Sequence, residues 1–336
     1  MIPKAKKFVI LNQEIKPGKG AQLNLEVAHL HTHTPVQVPV IVERSLIDGP
    51  VVLLMAGMHG DEINGMEIIR RIIRKGYNKP AIGTIICIPV FNIFGFLNVM
   101  RVLPDGRDLN RCFPGAKNGS LASQFAYHFM KEIAPNVDYV IDFHTGSASR
   151  NNAAQIRCVF KDVESLELAR IFNPPFIIHS PYIPKSIRES MHKKGKKILL
   201  FEGGKSNSIE EDIVKEGIDG IKRFLTNLKM RTVKENLGAR EPVFIKDHKW
   251  LRAPNSGLFQ PSVKNGDHVE IGTILGIVTD PFGLIEKRVK STISGFVFCV
   301  NEAPVVNKGD AIMHIGSKMI PIEYQTDIIR SLIENK

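Results

Sequence analysis

The chain has 336 residues, 43% hydrophobic and 24% charged, an ordinary globular composition with enough apolar content for a sizeable core. Lysine and arginine exceed aspartate and glutamate by 45 to 34, a net +11 that suits acidic partners; the densest basic run, His192 to Lys197, is short, lacks aromatic residues and reads as a solvated helix end rather than a nucleic-acid surface. No apolar run approaches the roughly 20 residues of a membrane span, no secretory cleavage pattern is visible, and Cys87, Cys112, Cys158 and Cys299 form no paired motif, so membrane insertion and a disulfide framework are disfavoured and a cytoplasmic setting is expected.

Near the N-terminus, "AHLHTHT" places His29, His31 and His33 at alternate positions, on one face of any strand. Same-face neighbours there lie about 7 Å apart, too far for three imidazoles to share one ion, and an exposed strand face is expected. From Val51 onward, short apolar runs alternate with helical patterns. Strands are predicted over 51–56, 83–91, 137–143, 156–160, 176–179 and 197–201, near-continuous apolar runs of the kind covered on both faces.

Helices are predicted between them. Residues 61–75 carry Ile63, Met66, Ile69, Ile72 and Ile73 at helical spacing, with Asp61 and Glu62 in the first turn. Further helices fall at 120–133, 164–172 and 208–230, the last opened by a Ser208/Glu211 capping box. The alternation predicts an α/β class: a mostly parallel sheet with helices on both faces.

The pattern changes at residues 231–241, read as a linker that ends a first domain of residues 1–230. Residues 242–336 read as a small all-β domain of two similar halves, one with Gly257 and Gly266-Asp267, the other with Gly295 and Gly309-Asp310. This part resembles the biotinyl/lipoyl barrel-sandwich domain, but no hairpin-tip lysine sits in a carrier setting, so a swinging-arm role is disfavoured.

The chemistry gathers at strand ends. "VVLLMAG" runs into His59, "ICIPVF" into Asn92, "YVIDF" into His144 and "KILLF" into Glu202. In open α/β sheets ligands bind at that edge. Two histidines and a carboxylate with one open position are the ligand set of a catalytic zinc, which lowers the pKa of its bound water to about 7. His59 and Glu62, three apart at a strand-to-helix junction, can aim at one point, His144 can close the set, and Glu202 can activate the water.

Taken singly, each has a plainer explanation. Glu62 can serve the helix dipole, His59 can be a loop histidine, and H-x-x-E is common by chance. Glu202 followed by Gly203-Gly204 is harder to explain structurally, since glycines permit close backbone approach to a ligand. A second cluster lies in "NIFGFLNVMRVLPDGRDLNRCFPG". Arg101 and Arg111, with Asn110, can hold a substrate carboxylate or polarise a scissile carbonyl. Asp108 can orient a metal-bound imidazole, a role for which Asp142 is the lesser candidate.

In this order, "GMHGDE", "NIFGF…R", "DLNRCFPG", "DFHTG" and "FEGG" resemble the succinylglutamate desuccinylase/aspartoacylase family of zinc enzymes, relatives of the metallocarboxypeptidases. The motifs cover roughly residues 35–230, and family members also carry a C-terminal β domain. The resemblance implies that His59, Glu62 and His144 bind one zinc ion. It implies Glu202 as general base and later acid, Arg101 as the group polarising the scissile carbonyl, and Asn110 and Arg111 as holders of a substrate carboxylate. Asp108 would support His59, and Asn92 has a structural role.

The expected activity is therefore a zinc-dependent amidohydrolase that removes an acyl group from a small anionic N-acyl amino acid or related amide. A metallocarboxypeptidase acting on short peptides would use the same metal chemistry with a wider pocket. A metal-free binding module is the alternative from another class; divalent metal content separates it from both hydrolases. A homo-oligomer is compatible with an exposed β domain, and neither nucleic acid nor membrane is expected as a partner.

Overall fold

The computed structural model describes residues 6–232, 237–238 and 240–319. Parts of the expected linker (233–236 and 239) and the end of the expected β domain (320–336) lie outside the described residues. A small hairpin, β1 (Val9–Ile10) and β2 (Gln13–Glu14), precedes a long ribbon of β3 (Gly20–His29) and β4 (Pro35–Arg44). Val36, Val38, Val40 and Val42 alternate along β4 and are all buried, the two-residue period of a strand with one covered face. His31 and His33 fall in the turn between β3 and β4, while His29 ends β3 and pairs with Glu26 at 3.3 Å. The expected histidine-bearing strand face is an exposed turn instead.

Strands and helices then alternate: β5 (Val51–Ala56), α1 (Ile63–Arg74), β6 (Thr84–Ile88), α2 (Ile93–Asn98), α3 (Leu121–His128), β7 (Tyr139–Gly146), β8 (Arg150–Cys158), α4 (Val163–Phe172), β9 (Phe176–His179), α5 (Ile187–Lys193), β10 (Lys197–Lys205) and α6 (Glu211–Asn227). Successive residues of β5 serve two cores. Leu53 and Met55 pack with Phe91, Phe125 and Phe129, whereas Val52, Leu54 and Ala56 pack with Ile68, Ile72 and Phe224. At about 25 cal/mol per Å² of apolar surface removed from water, this two-sided burial explains the unbroken apolar runs.

The C-terminal strands are β11 (Val243–Arg252), β12 (Gly257–Pro261), β13 (His268–Val269), β14 (Ile274–Thr279), β15 (Glu286–Lys290), β16 (Gly295–Asn301), β17 (Val305–Val306) and β18 (Ala311–Met319). Among the described residues twelve strands form one sheet in the order β13-β16-β18-β11-β9-β8-β10-β7-β5-β6-β4-β3, and β16 also pairs with β8. The sheet is mixed, not mostly parallel. β10, β7, β5 and β6 run parallel, as do β8, β9 and β11, but β8 opposes β10 and β4 opposes β6. The reason is covalent: residues 147–149 alone join β7 to β8, and a parallel return needs a crossover of about a dozen residues or more.

A second sheet has the order β15-β14-β12-β17. Phe259 and Leu275 from its side share a core with Val297 and Ile315 from the large sheet. The two similar halves have matching turns: Asp267 accepts from the Lys264 N–H at 2.9 Å, and Asp310 accepts from the Asn307 N–H at 2.7 Å. Among the described residues no helix is long and apolar enough to cross a membrane.

Candidate active site

The first ligand candidate sits in the turn between β5 and α1. Gly60 follows His59 and lies against the backbone of α2: a Cβ there would come within 1.8 Å of the Gly95 carbonyl carbon, so only glycine fits. The Gly60 N–H donates to the Met100 carbonyl at 3.0 Å. This fixes His59 beside the loop that carries Arg101 and Asp108. Glu62 caps α1 by position but makes no capping hydrogen bond, so it does not serve the helix end as a first-turn acid; its carboxylate turns to the histidines.

One Glu62 oxygen lies 2.7 Å from His59 Nδ1, and the other lies 2.9 Å from His144 Nδ1 and accepts from the Thr145 N–H at 3.2 Å. All three side chains are buried. His59 Nε2 is 3.1 Å from Asp108 Oδ1, and His144 Nε2 is 2.8 Å from Asp142 Oδ2. Each imidazole thus has its own carboxylate behind it, and Asp142 stands level with Asp108 rather than below it. One ligand-type atom from each of His59, Glu62 and His144 lies within 4.8 Å of the others, and among the described residues no second such group occurs.

Burial disfavours charge at each of these groups, but mutual attraction outweighs it. The charges of His59 and His144 hold Glu62 well below the usual carboxylate range. Those of Asp142 and Glu62 raise His144 well above the ordinary imidazole value, and Glu62 with Asp108 raises His59. Protons and a divalent cation compete for the same ring nitrogens.

Glu202 on β10 pairs in register with His144 on β7 and Gln155 on β8. It accepts from Asn152 Nδ2 at 2.6 Å and stands 3.7 Å from Arg157 Nε. The glycines after it serve packing, not approach to a ligand: a Cβ on Gly204 would meet a Glu210 carboxylate oxygen at 1.9 Å. The Ser208/Glu211 capping box is absent. Glu210 is the residue before α6, without a side-chain cap, and Glu211 is drawn to Arg71 at 2.7 Å.

Arg101 bonds Asp108 at 2.8 Å, approaches Glu62 at 3.3 Å and donates to the Ser147 hydroxyl. Asn110 uses its side-chain oxygen to accept from the Ile187 N–H at the start of α5, at 3.0 Å, which leaves its Nδ2 for the cavity. Arg111 donates to the Asn110 carbonyl at 2.7 Å and lines the rim. Asn92 accepts from the Gly95 N–H and caps α2, a structural task.

His59, Glu62, His144, Glu202, Arg101, Asn110 and Arg111 all line one cavity of about 200 Å³. Asp108 lies behind the cavity wall, in contact with His59 and Arg101. Sequence reasoning missed Arg150, Asn152 and Arg157 on β8, Arg188 on α5 and Trp250 on β11, which line the same cavity. A signal existed only for β8, where Gln155 and Arg157 alternate onto one strand face.

The succinylglutamate desuccinylase/aspartoacylase catalytic domain matches residues 48–228. An N-alpha-acetyl-L-2,4-diaminobutyric acid deacetylase from Halomonas elongata is 26% identical over 298 residues, 84% of this chain and 86% of that protein. The product-bound ectoine utilization protein EutE from Ruegeria pomeroyi has a similar structure, with a TM-score of 0.79 at 21% identity over 90% of this chain and 96% of that one. A succinylglutamate desuccinylase/aspartoacylase from Rhodobacter sphaeroides gives 0.79 at 22% identity, over 91% and 97%. At those identities the solved structures speak for the fold, whereas the domain match covers more than half of the sequence: the chain belongs to the succinylglutamate desuccinylase/aspartoacylase family.

Proposed function

We propose that this chain is a zinc-dependent amidohydrolase that removes the acyl group from a small anionic N-acyl amino acid. The observation that carries the reading is the convergence of His59, Glu62 and His144 in one buried cluster, inside a cavity that also holds Glu202 and Arg101. Two imidazole nitrogens and a carboxylate suit zinc, and the carboxylate behind each imidazole suits it further by fixing the Nε2 proton so that Nδ1 faces the cluster. When bound, zinc supplies Lewis acidity and lowers the pKa of a coordinated water to about 7.

The chain's own groups do the rest. Glu202 takes the proton of the attacking water and returns it to the leaving amine. Arg101 donates to the oxygen of the scissile carbonyl as charge develops there. Asn110 Nδ2 and Arg111 hold the substrate α-carboxylate. Asp108 and Asp142 keep the two imidazoles oriented.

The small cavity, walled in part by Trp250 and Cys299 from the C-terminal strands, favours a small amide over a peptide. The deacetylase from Halomonas elongata supports an N-acyl amino acid as substrate. We assign residues 1–230 to the hydrolase domain, 231–241 to a linker and 242–336 to a barrel-sandwich-like domain; the matching Gly-Asp turns support the last. The free thiols fit the cytoplasm, and the exposed Phe282 and Leu284 offer a surface for a homo-oligomer.

The test is a panel of N-acetyl, N-succinyl and N-formyl amino acids, set against short peptides, with zinc-loaded protein. Hydrolysis of the N-acyl amino acids supports the reading. Exclusive peptide cleavage would make the chain a carboxypeptidase, and absence of both hydrolysis and stoichiometric metal would make it a binding module.

A further inference from the structure

The β ladder breaks step just after Glu202. The pairing of β10 with β7 shifts register between Glu202 and Lys205, and its pairing with β8 shifts between Glu202 and Gly204. Glu202 thus stands at the last regular position of its strand, and a glutamate side chain there has several rotamers to choose among. A general base must lie within about 2.6–3.2 Å of the proton it takes, and a displacement of about 1 Å can cost about 10²-fold in rate.

One side chain makes the choice. Glu202 Oε2 accepts from Asn152 Nδ2 at 2.6 Å, and among the described residues no other hydrogen bond reaches this carboxylate. Arg157 Nε, at 3.7 Å from Oε1, is too far to form one. Oε1 is therefore left for a proton while Oε2 is held. Asn152 is only 4% exposed, so the bond is sheltered from competing water. Its chemistry also suits a base: an ammonium or guanidinium in that place would oppose protonation of a carboxylate, whereas a neutral amide orients it without a full positive charge.

Asn152 is itself held from two sides. Along β8 it stands opposite Gly204 on β10 and opposite Cys299 on β16, and β9 takes over as the second neighbour of β8 only from Gln155 onward. The residues before it are tied to the C-terminal part of the chain as well. Asn265 Nδ2 donates to the Asn151 carbonyl at 2.9 Å, Asn151 Nδ2 donates to the Glu302 carboxylate at 2.8 Å, and the Glu302 N–H donates to the Ser149 carbonyl at 2.8 Å. The start of β8 is thus clamped by β16 and its neighbouring turns at the point where Asn152 reaches across to Glu202.

We propose that Asn152 is the positioning residue of Glu202, and that the C-terminal strands contribute to turnover by fixing Asn152. The inference rests on Glu202 being the general base. Asn152 itself moves no proton; it keeps Oε1 aimed at the attacking water and then at the leaving amine.

The experiment is a double-mutant cycle with Glu202→Gln, run with zinc-loaded protein on the N-acyl amino acid hydrolysed fastest in the panel above. Asn152→Ala should lower kcat about ten- to a hundredfold, the yield of a hydrogen bond to a charged group, with KM within about twofold and zinc content equal to the parent's. Asn152→Asp has nearly the same size and shape, sets a second carboxylate against Glu202 and should lose at least as much; it carries the test if Asn152→Ala fails to fold. Introduced into Glu202→Gln, either substitution should cost less than about threefold, because the group it positions no longer takes the proton. A general structural defect would instead cost as much in that background as in the parent, and that result would overturn the proposal. An unchanged kcat in both single variants, or a loss carried by KM or by zinc content, would overturn it too while leaving the hydrolase reading intact. Near-normal turnover in Glu202→Gln, or hydrolysis of no N-acyl amino acid by the parent, would overturn both.

Discussion

The second carboxylate oxygen of Glu62 lies 2.9 Å from His144 Nδ1, while the Nε2 of the same imidazole is held by Asp142 at 2.8 Å. The ring is thus polarised from both sides, and the carboxylate behind it sets which nitrogen keeps the proton. Asp142→Asn would keep a hydrogen-bond acceptor near Nε2 but remove the charge. Zinc affinity in that variant should fall about 10- to 100-fold, the usual loss for a carboxylate behind a metal-binding histidine, as measured by competition with a chromophoric chelator. Unchanged affinity would show that Asp142 only fills space.

The Glu202 side chain is close to Asn152 and Arg157 and makes no hydrogen bond or ion pair with the side chains of His59, Glu62 or His144. Loss of its proton-transfer capacity should therefore leave the metal site whole. In Glu202→Gln, kcat should fall by about 10² to 10⁴ with zinc content equal to the parent's. Near-normal turnover with zinc bound would remove Glu202 from the mechanism.

Arg101 and Arg111 should separate kinetically. Arg101 stands beside Glu62 at 3.3 Å, in the part of the cavity where the proposed reaction would develop charge, whereas Arg111 lines the rim. Arg101→Ala is expected to lower kcat by about 10² to 10³, and Arg111→Ala to act chiefly on KM through weaker ground-state binding. The opposite split, measured on N-acyl amino acids at saturating zinc, would exchange the two roles.

The strand ends made much of the site legible. His59, Asn92, His144 and Glu202 each follow an apolar run, and the edge of an α/β sheet collects such residues whatever their distance along the chain. The direction of β8 was hidden because an apolar run reads the same both ways; only the short 147–149 connection marks the reversal. Arg150 and Trp250 belong to no motif and meet because β11 extends the sheet beyond β9 while β16 pairs with β8. The Ser208/Glu211 pattern was misleading for a related reason: a tertiary partner, Arg71, takes the carboxylate that a local rule gives to the helix end.

His314 offers a test of the C-terminal wall of the cavity. It is buried, its Nε2 is bonded to His248 Nδ1, and its ring stacks on Trp250. Burial, followed by the positive fields of His248, Arg157 and Arg150, lowers its pKa from 6.5 to about 2. The folded value is depressed, so its contribution to stability is complete above the unfolded pKa of about 6.5 and is lost as pH falls towards 2. Over that window the unfolded chain binds a proton that the folded chain refuses, which costs about 1 kcal/mol per pH unit. His314→Phe keeps the ring stack and removes the titration, leaving only the His248 hydrogen bond unmade. Urea midpoints of the variant should decline less steeply than the parent's between pH 6.5 and about pH 5, and parallel declines would mean that His314 does not refuse the proton.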